Sequence, residues 1–305
     1  MKKTMLFHLA VMVTAMMCAL GVRAQEAYAC YTSDNTTLTF YYDDDRNIRT
    51  GTTYFLNTDN NDAGWDTDGT KANVTRVVFY PSFADARPTT TYGWFYGMTH
   101  LQSVEGMEHL NTSKVTRMDY MFYDCYRLTN LDLSHLNTAT VTRMSGMFSR
   151  CSGLTMLDLR HFNTATVDNM EYMFNACTNL RTIYVSIGWS TAAVTGSLNM
   201  FYNCTSLVGG QGTTFDSSHV DKDYARIDGG PDNPGYFTEK PAFIRGDVDG
   251  DNEISIADVS VLIDYVLTGN TTGVNLAAAN CNNDSEVNIA DVTVLIDYLL
   301  VGTWE

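Results

Sequence analysis

The chain has 305 residues, 45% hydrophobic and 18% charged, and 35 acids against 19 bases give a formal net charge of −16. That balance excludes nucleic-acid and anionic-membrane surfaces as partners and favours cations or basic proteins. The length allows one larger array or domain plus a small module.

At the start, Lys2 and Lys3 form a basic n-region, Leu6 to Leu20 is mostly apolar, and Val22-Arg23-Ala24 offers a small residue at a cut. Residues 1–24 are therefore predicted to be an export signal, which places the mature protein outside the cell. Its removal takes away three bases and no acids, from −16 to −19. Neither Cys18 nor Cys30 is preceded by a lipobox, and no later stretch is apolar enough to span a bilayer. Six cysteines remain, an even number that permits disulfides without requiring them.

Residues 25–110 are expected to hold an N-terminal cap and a degenerate repeat with Phe95 and Leu101. A 26-residue period follows over 111–207: "NTSKVTRMDYMFYDCYRLTNLDLSHL" from Asn111, "NTATVTRMSGMFSRCSGLTMLDLRHF" from Asn137 and "NTATVDNMEYMFNACTNLRTIYVSIG" from Asn163. A weaker copy has Met200-Phe201, Cys204 and Leu207. Met144, Met147, Phe148, Cys151 and Leu154 fall at helical spacing, and Leu157 and Leu159 alternate with Asp158 as in a strand. Each repeat thus reads as helix, strand and turn, and "LTMLDLRHF" fits a leucine-rich L-x-x-L-x-L core. The expected fold is an α/β solenoid of leucine-rich-repeat-like helix-strand units, with residues 208–240 as C-terminal cap and linker. Cys125, Cys151, Cys177 and Cys204 read as a buried ladder filling one core slot, favoured over metal or disulfide use because no Cys-x-x-Cys pairing occurs. Asp132, Asp158 and Tyr184 take the outward strand positions, where a partner-binding face is expected; a plain solvated face is the alternative.

The Met-Phe-x-x-Cys-x-x-Leu-x-x-Leu-x-Leu pattern resembles BspA-like leucine-rich-repeat surface proteins of bacteria, over roughly residues 28–238 including the flanks "FADARPTTTYGWFYGM" and "YARIDGGPDNPGYFT". The resemblance implies a secreted or surface-exposed, non-catalytic protein associated with adhesion or binding, with an unidentified protein or glycan as ligand.

Residues 241–305 form the last segment. "DVDGDNEISIAD" sets Asp247, Asp249, Asp251, Glu253, Ser255 and Asp258 at positions 1, 3, 5, 7, 9 and 12 of an EF-hand-type loop. Position 7 coordinates through its carbonyl and position 9 often through water, so Glu253 and Ser255 are indirect members. Position 6 is Asn252 where Gly is usual, tolerable because Asn enters the left-handed region comparatively easily; position 12 is Asp where Glu is usual. Thirty-three residues on, "NCNNDSEVNIAD" repeats the set with Asn280, Asn282, Asp284, Glu286, Asn288 and Asp291. Each loop precedes a near-identical apolar helix, "VSVLIDYVLTG" or "VTVLIDYLLVG", whose stripe (Val259, Leu262, Ile263, Val266, Leu267 and counterparts) is expected to pack against the other. From Gly246 to Glu305 there is no lysine or arginine, so divalent cations are expected to neutralise the carboxylates, and their binding free energy becomes folding free energy.

Paired loops closed by Asp, each followed by one helix, resemble a dockerin domain over 244–305. The resemblance implies a small all-α module, two bound calcium ions and a cohesin partner. The second site, with less charge, is expected to bind calcium more weakly. Ile256, Ala257, Ile289 and Ala290, beside the loop ends, are expected to contribute to docking. An alternative follows from the same resemblance, because dockerins often ride on glycoside hydrolases: the chain would then be an accessory or catalytic part of an extracellular polysaccharide-degrading complex. Against catalysis, the best-aligned acids recur with the repeat as scaffold positions do, and the histidines show no metal or nucleophile spacing.

Overall fold

The computed structural model describes residues 24–58, 61–66, 69–240, 243–251, 253–284 and 286–304. The predicted export signal, save Ala24, and Asn252 lie outside the described residues. Two compact units are formed, Met1–Lys240 and Pro241–Glu305. No helix among the described residues is long and apolar enough to cross a membrane.

The first unit begins with a five-stranded sheet: β1 (Glu26–Tyr31), β2 (Thr37–Asp43), β3 (Thr52–Phe55), β4 (Arg76–Phe79) and β5 (Ser103–Glu105), in the order β3-β1-β2-β4-β5. Pairings within β1–β3 are antiparallel, and β4 joins β2 and β5 in parallel. Alternation in "TLTFYYD" turns Leu38 and Phe40 to the core. Phe40 there stacks on Phe79 at 4.7 Å and on Trp94 at 4.9 Å and meets Trp65 edge-on. This aromatic core is continuous with that of the repeats.

The predicted α/β solenoid of helix-strand units is overturned. The described α-helices all lie in the second unit, and the first carries two separate sheets. In Met118–Leu128 the amides of Met118, Tyr120, Phe122 and Asp124 donate to Arg143, Ser145, Met147 and Ser149 of the next repeat, at 2.8–2.9 Å. The amides between them, of Met121, Tyr123 and Cys125, close tight turns to Met118, Tyr120 and Phe122. An α-helix needs every amide to reach the carbonyl four residues back, and half of these are committed sideways instead. Left-handed backbone at Tyr120 and Asp124, at Gly146 and Arg150, and at Tyr172 and Ala176 produces this path. Such a conformation costs a non-glycine residue roughly 1–2 kcal/mol, which the inter-repeat hydrogen bonds and buried side chains offset. The apolar spacing survives because Met118, Met121, Phe122, Cys125 and Leu128 still face inward.

Register between repeats is kept by a chain of single parallel bridges, Thr90 to Arg117 to Arg143 to Asn169 to Gly196. Phe122, Phe148, Phe174 and Phe201 stack face to face at 5.9, 5.9 and 5.5 Å. Asp119, fully buried on this ladder, meets Arg117 at 2.8 Å and Arg143 at 3.4 Å, so its charge is paired inside the stack. Thr112, Thr138 and Thr164 each donate a hydroxyl to the residue that opens the next repeat. The expected strand recurs only as β6 (Met156–Asp158) and β7 (Thr182–Val185), which with β8 (Phe237–Glu239) make a parallel sheet; Leu131–Leu133 is not a strand.

The second unit contains α1 (Ile256–Thr268), a short α2 (Leu276–Ala279) and α3 (Ile289–Val301). Ser255 and Asn288 cap the long helices by accepting from Ala257 and Ala290, and left-handed Gly269 and Gly302 end them. Val259, Leu262, Val292 and Leu295 join Val248, Ala279 and Cys281 in a small core. The predicted stripe is only partly used: Ile263 and Ile296 remain exposed, and Leu267 and Leu300 are each 78% exposed.

Candidate functional site

Asp247, Asp249 and Asp258 are brought together by the first acidic loop, with one carboxylate oxygen from each lying within 4.8 Å of the others. Asp258 reaches the loop because it opens α1. Its Oδ1 accepts from the Val248 and Asp249 amides at 2.6 and 3.1 Å, and its Oδ2 from the Ser255 amide at 2.7 Å. The chain is wound by Asx turns, Asp249 accepting from Asp251 N–H and Asp251 from Glu253 N–H. Gly250 at position 4 supplies a left-handed turn. Asp251 is not in the group of three, Glu253 is exposed, and the Ser255 hydroxyl is engaged in the helix cap.

The second loop has the same frame and fewer charges. Asp291 Oδ1 accepts from Asn282 N–H and Oδ2 from Asn288 N–H, Asn282 accepts from Asp284 N–H, and Asp284 from Glu286 N–H. Asn283, at position 4, is left-handed where Gly250 stands in the first loop. Asn280 donates to the Asp284 carbonyl at 2.6 Å, while its own Oδ1 is buried with no hydrogen-bond partner.

These donor sets fit a hard divalent cation. Two oxygens on one calcium ion, each at 2.3–2.6 Å, can stand no more than about 4.6–5.2 Å apart, and the first trio, within 4.8 Å, meets that limit. Three carboxylates gathered this closely repel one another, and a cation among them removes that repulsion. In the second loop a buried carbonyl oxygen without a donor is equally suited to a cation.

Sequence reasoning missed how the unit closes. Arg245, one residue before the base-free stretch, donates its guanidinium to the Cys281 carbonyl and lies 4.3 Å from the Trp304 ring, which stacks on Tyr298 at 4.0 Å. Gly246 is left-handed, and a Cβ there would lie 2.7 Å from Trp304. The glycine therefore permits the two ends of the unit to meet. An Arg-Gly pair followed 58 residues later by a tryptophan is too sparse a pattern to find unaided.

Ile256 and Ile289, beside the loop ends, are 72% and 65% exposed, and Ala257 and Ala290 are exposed with them. Ile263 and Leu267 continue the Ile256 face at seven and eleven residues, and Ile296 and Leu300 repeat this on α3. The two helices thus present matching apolar stripes to solvent. The expected face on the first unit is different. Asp158 lies beside Tyr184 across β6 and β7, and Lys240 meets the Asp158 carboxylate at 3.0 Å and the Tyr184 ring at 5.1 Å. Arg160 also pairs with Asp158 at 3.2 Å. Asp132 sits on a loop, its Oδ1 accepting from Ser134 N–H, apart from that pair of strands.

Residues 89–215 match a family described as "Mycoplasma protein of unknown function, DUF285", and residues 245–300 match the dockerin type I domain. None of the curated proteins matches the chain. Among solved structures, a leucine rich cell surface protein from Faecalibacterium prausnitzii is similar at 18% identity and a TM-score of 0.32 over 60% of this chain. The chain spans about half of that protein, 52%. Dockerin type I domains bind calcium and dock onto cohesins.

Proposed function

We propose that the protein is a secreted or surface-associated binding protein without enzymatic activity, held to a cohesin-type partner through a calcium-dependent C-terminal unit. The observation that carries the reading is the gathering of Asp247, Asp249 and Asp258 within 4.8 Å at the start of α1, inside the segment that matches the dockerin type I domain. In the first site Asp247, Asp249, Asp251 and Asp258 supply carboxylates, Glu253 its carbonyl and Ser255 a water-mediated contact. In the second, Asn280, Asn282, Asp284 and Asp291 take the same roles with Glu286 and Asn288, and fewer charges weaken binding. Calcium supplies the positive charge that fastens each loop to its helix.

Ile256, Ala257, Ile289 and Ala290 meet the cohesin, and the exposed Ile263, Leu267, Ile296 and Leu300 extend that surface. Because the stripes are near copies, either helix can lead. The first unit presents the ligand-binding surface, a protein or a glycan being bound there without turnover. Changing Ile256 and Ala257, and then also Ile289 and Ala290, to aspartate tests the docking arm against a panel of cohesins. Loss of capture only when both pairs are changed supports two usable faces; unchanged affinity after both changes sinks the assignment.

A further inference from the structure

Four tyrosines converge where the N-terminal cap meets the first repeats. Tyr92, Tyr96, Tyr120 and Tyr123, with Asp62 and Gly93, line a cleft of about 430 Å³. That volume is in the range of small-ligand sites, about 300–1,000 Å³. Tyr96 and Tyr123 stack at 4.7 Å and 10° to make one wall, and Tyr120 stands edge-on to both, at 86° and 76°. Tyr92 is edge-on to Tyr120 at 5.9 Å. Repeat packing does not demand these rings. The next repeat has Gly146 and Ser149 at the positions of Tyr120 and Tyr123. Gly146 is itself part of the arrangement, because a Cβ there would stand 2.6 Å from the Tyr120 ring.

The charges around the cleft select among ligands. Lys71 lies 4.9 Å from the Tyr96 ring centroid and Arg117 5.0 Å from that of Tyr92, so a cationic ligand finds two of the four rings already occupied by cations. Asp62 in the lining opposes an anion. A neutral molecule with an apolar face and a polar rim remains, and tyrosine rings with hydroxyl tips match both. Desolvation, more than any neighbouring charge, pushes the Tyr92 and Tyr96 phenols above their ordinary range, so both stay hydroxyls that can donate and accept.

We propose that this cleft binds a neutral saccharide, one pyranose packing its C–H face against Tyr123, whose other face Tyr96 backs, while its hydroxyls meet Tyr92, Tyr120 and Asp62. This deepens the reading of the first unit as a ligand-binding surface and rests on it.

The test is titration calorimetry of the full chain in calcium with hexaoses of β-1,4-linked glucose, xylose and mannose and of α-1,4-linked glucose, with deca-L-proline as a peptide probe. At least one hexaose is expected to bind, with affinity reduced about tenfold or more by Tyr96→Ala and by Gly146→Ala. Tyr96→Phe, which keeps the ring, is expected to lose less, and Tyr126→Ala, outside the cleft, nothing. The proposal is overturned if no hexaose binds, if Tyr96→Ala leaves affinity unchanged, or if only deca-L-proline binds. Cohesin capture measured on the same variants separates the two readings, since the cleft can fail while calcium-dependent docking persists.

Discussion

The thiol of Cys151 donates to the main-chain carbonyl of Phe122, 29 residues earlier, at 3.0 Å. The same bond joins Cys125 to Phe95, Cys177 to Phe148 and Cys204 to Phe174, at 3.2, 3.0 and 2.9 Å. Each cysteine is thus a cross-repeat hydrogen-bond donor as well as a small core filler, and all six described cysteines are free. The ladder favoured on sequence grounds gains a directional role that spacing alone could not reveal.

Burial pushes the Cys204 thiol up to about 12 and those of Cys151 and Cys177 well above the usual range, so thiolate is scarce at neutral pH. In the folded protein, iodoacetamide at pH 8 is expected to leave Cys125, Cys151, Cys177 and Cys204 unmodified, and denaturant to expose all four, as followed by peptide mass spectrometry. Cys151→Ala is expected to cost about 1–3 kcal/mol through the lost bond and the small cavity. Stoichiometric alkylation of Cys151 in the native state would contradict the assignment.

Asp228 organises the end of the first unit. Its carboxylate accepts from the amides of Gln211, Thr213 and Gly230 and from the Thr213 hydroxyl, at 2.7–3.0 Å. Desolvation pushes its pKa up, but these hydrogen bonds outweigh it and hold the carboxyl below the ordinary range. A depressed folded-state pKa contributes stability above the unfolded value, near 3.9, that is lost as pH falls through the folded value. Asp228→Asn is therefore expected to lower stability at pH 7 by about 1–3 kcal/mol and to flatten the loss of stability below pH 4. An unchanged acid limb in denaturant titrations at several pH values would show that Asp228 does not contribute this dependence.

Asp258 accepts three backbone N–H groups, so it links the first loop to α1 as well as facing Asp247 and Asp249. Asp258→Asn turns one acceptor into a donor against those amides and removes a charge from the site. Calcium affinity of the first loop is expected to fall at least about tenfold, equivalent to 1.4 kcal/mol, with the second loop much less affected. Calorimetry on the full chain resolves the two; equal losses at both loops would count against separate sites.

Trp304 closes the second unit between Arg245 and Tyr298. Trp304→Ala is expected to cost that unit about 1–3 kcal/mol, of which the cation–π contact accounts for about 1. Helical circular dichroism should lose its thermal midpoint selectively, while the near-ultraviolet signal of the buried Trp65 and Trp94 keeps its own. A shift in both transitions would mean the effect is not confined to the closure.

What the sequence made legible was periodic. The 26-residue offset, the inward Met, Phe, Cys and Leu positions and the two acidic loops could all be read from spacing. The secondary structure of the repeat could not, because helical spacing of side chains does not require helical hydrogen bonds. Left-handed Tyr120, Asp124 and Tyr172 carry no local signal, since their conformation is imposed by amides bonded to a neighbour 25 or 26 residues away. The helix stripes were divided wrongly at Ile263 and Leu267 for a related reason: two short helices have only one inward face each, and the surplus apolar residues stay in solvent. In the tyrosine cleft Tyr96 and Tyr123 follow Phe95 and Phe122 at equivalent positions, but Asp62 and Tyr92 join them from outside the period. The Arg245–Trp304 closure likewise brings together residues that share no period.

A calcium titration of the full chain, followed at 222 nm with a chelated control, tests the central claim most directly, because the described α-helices all lie in the C-terminal unit. The account predicts that helical signal rises with calcium, reverses with chelator, and accompanies two binding steps of unequal affinity. A helical signal of full strength in chelator, unmoved by calcium, would contradict it.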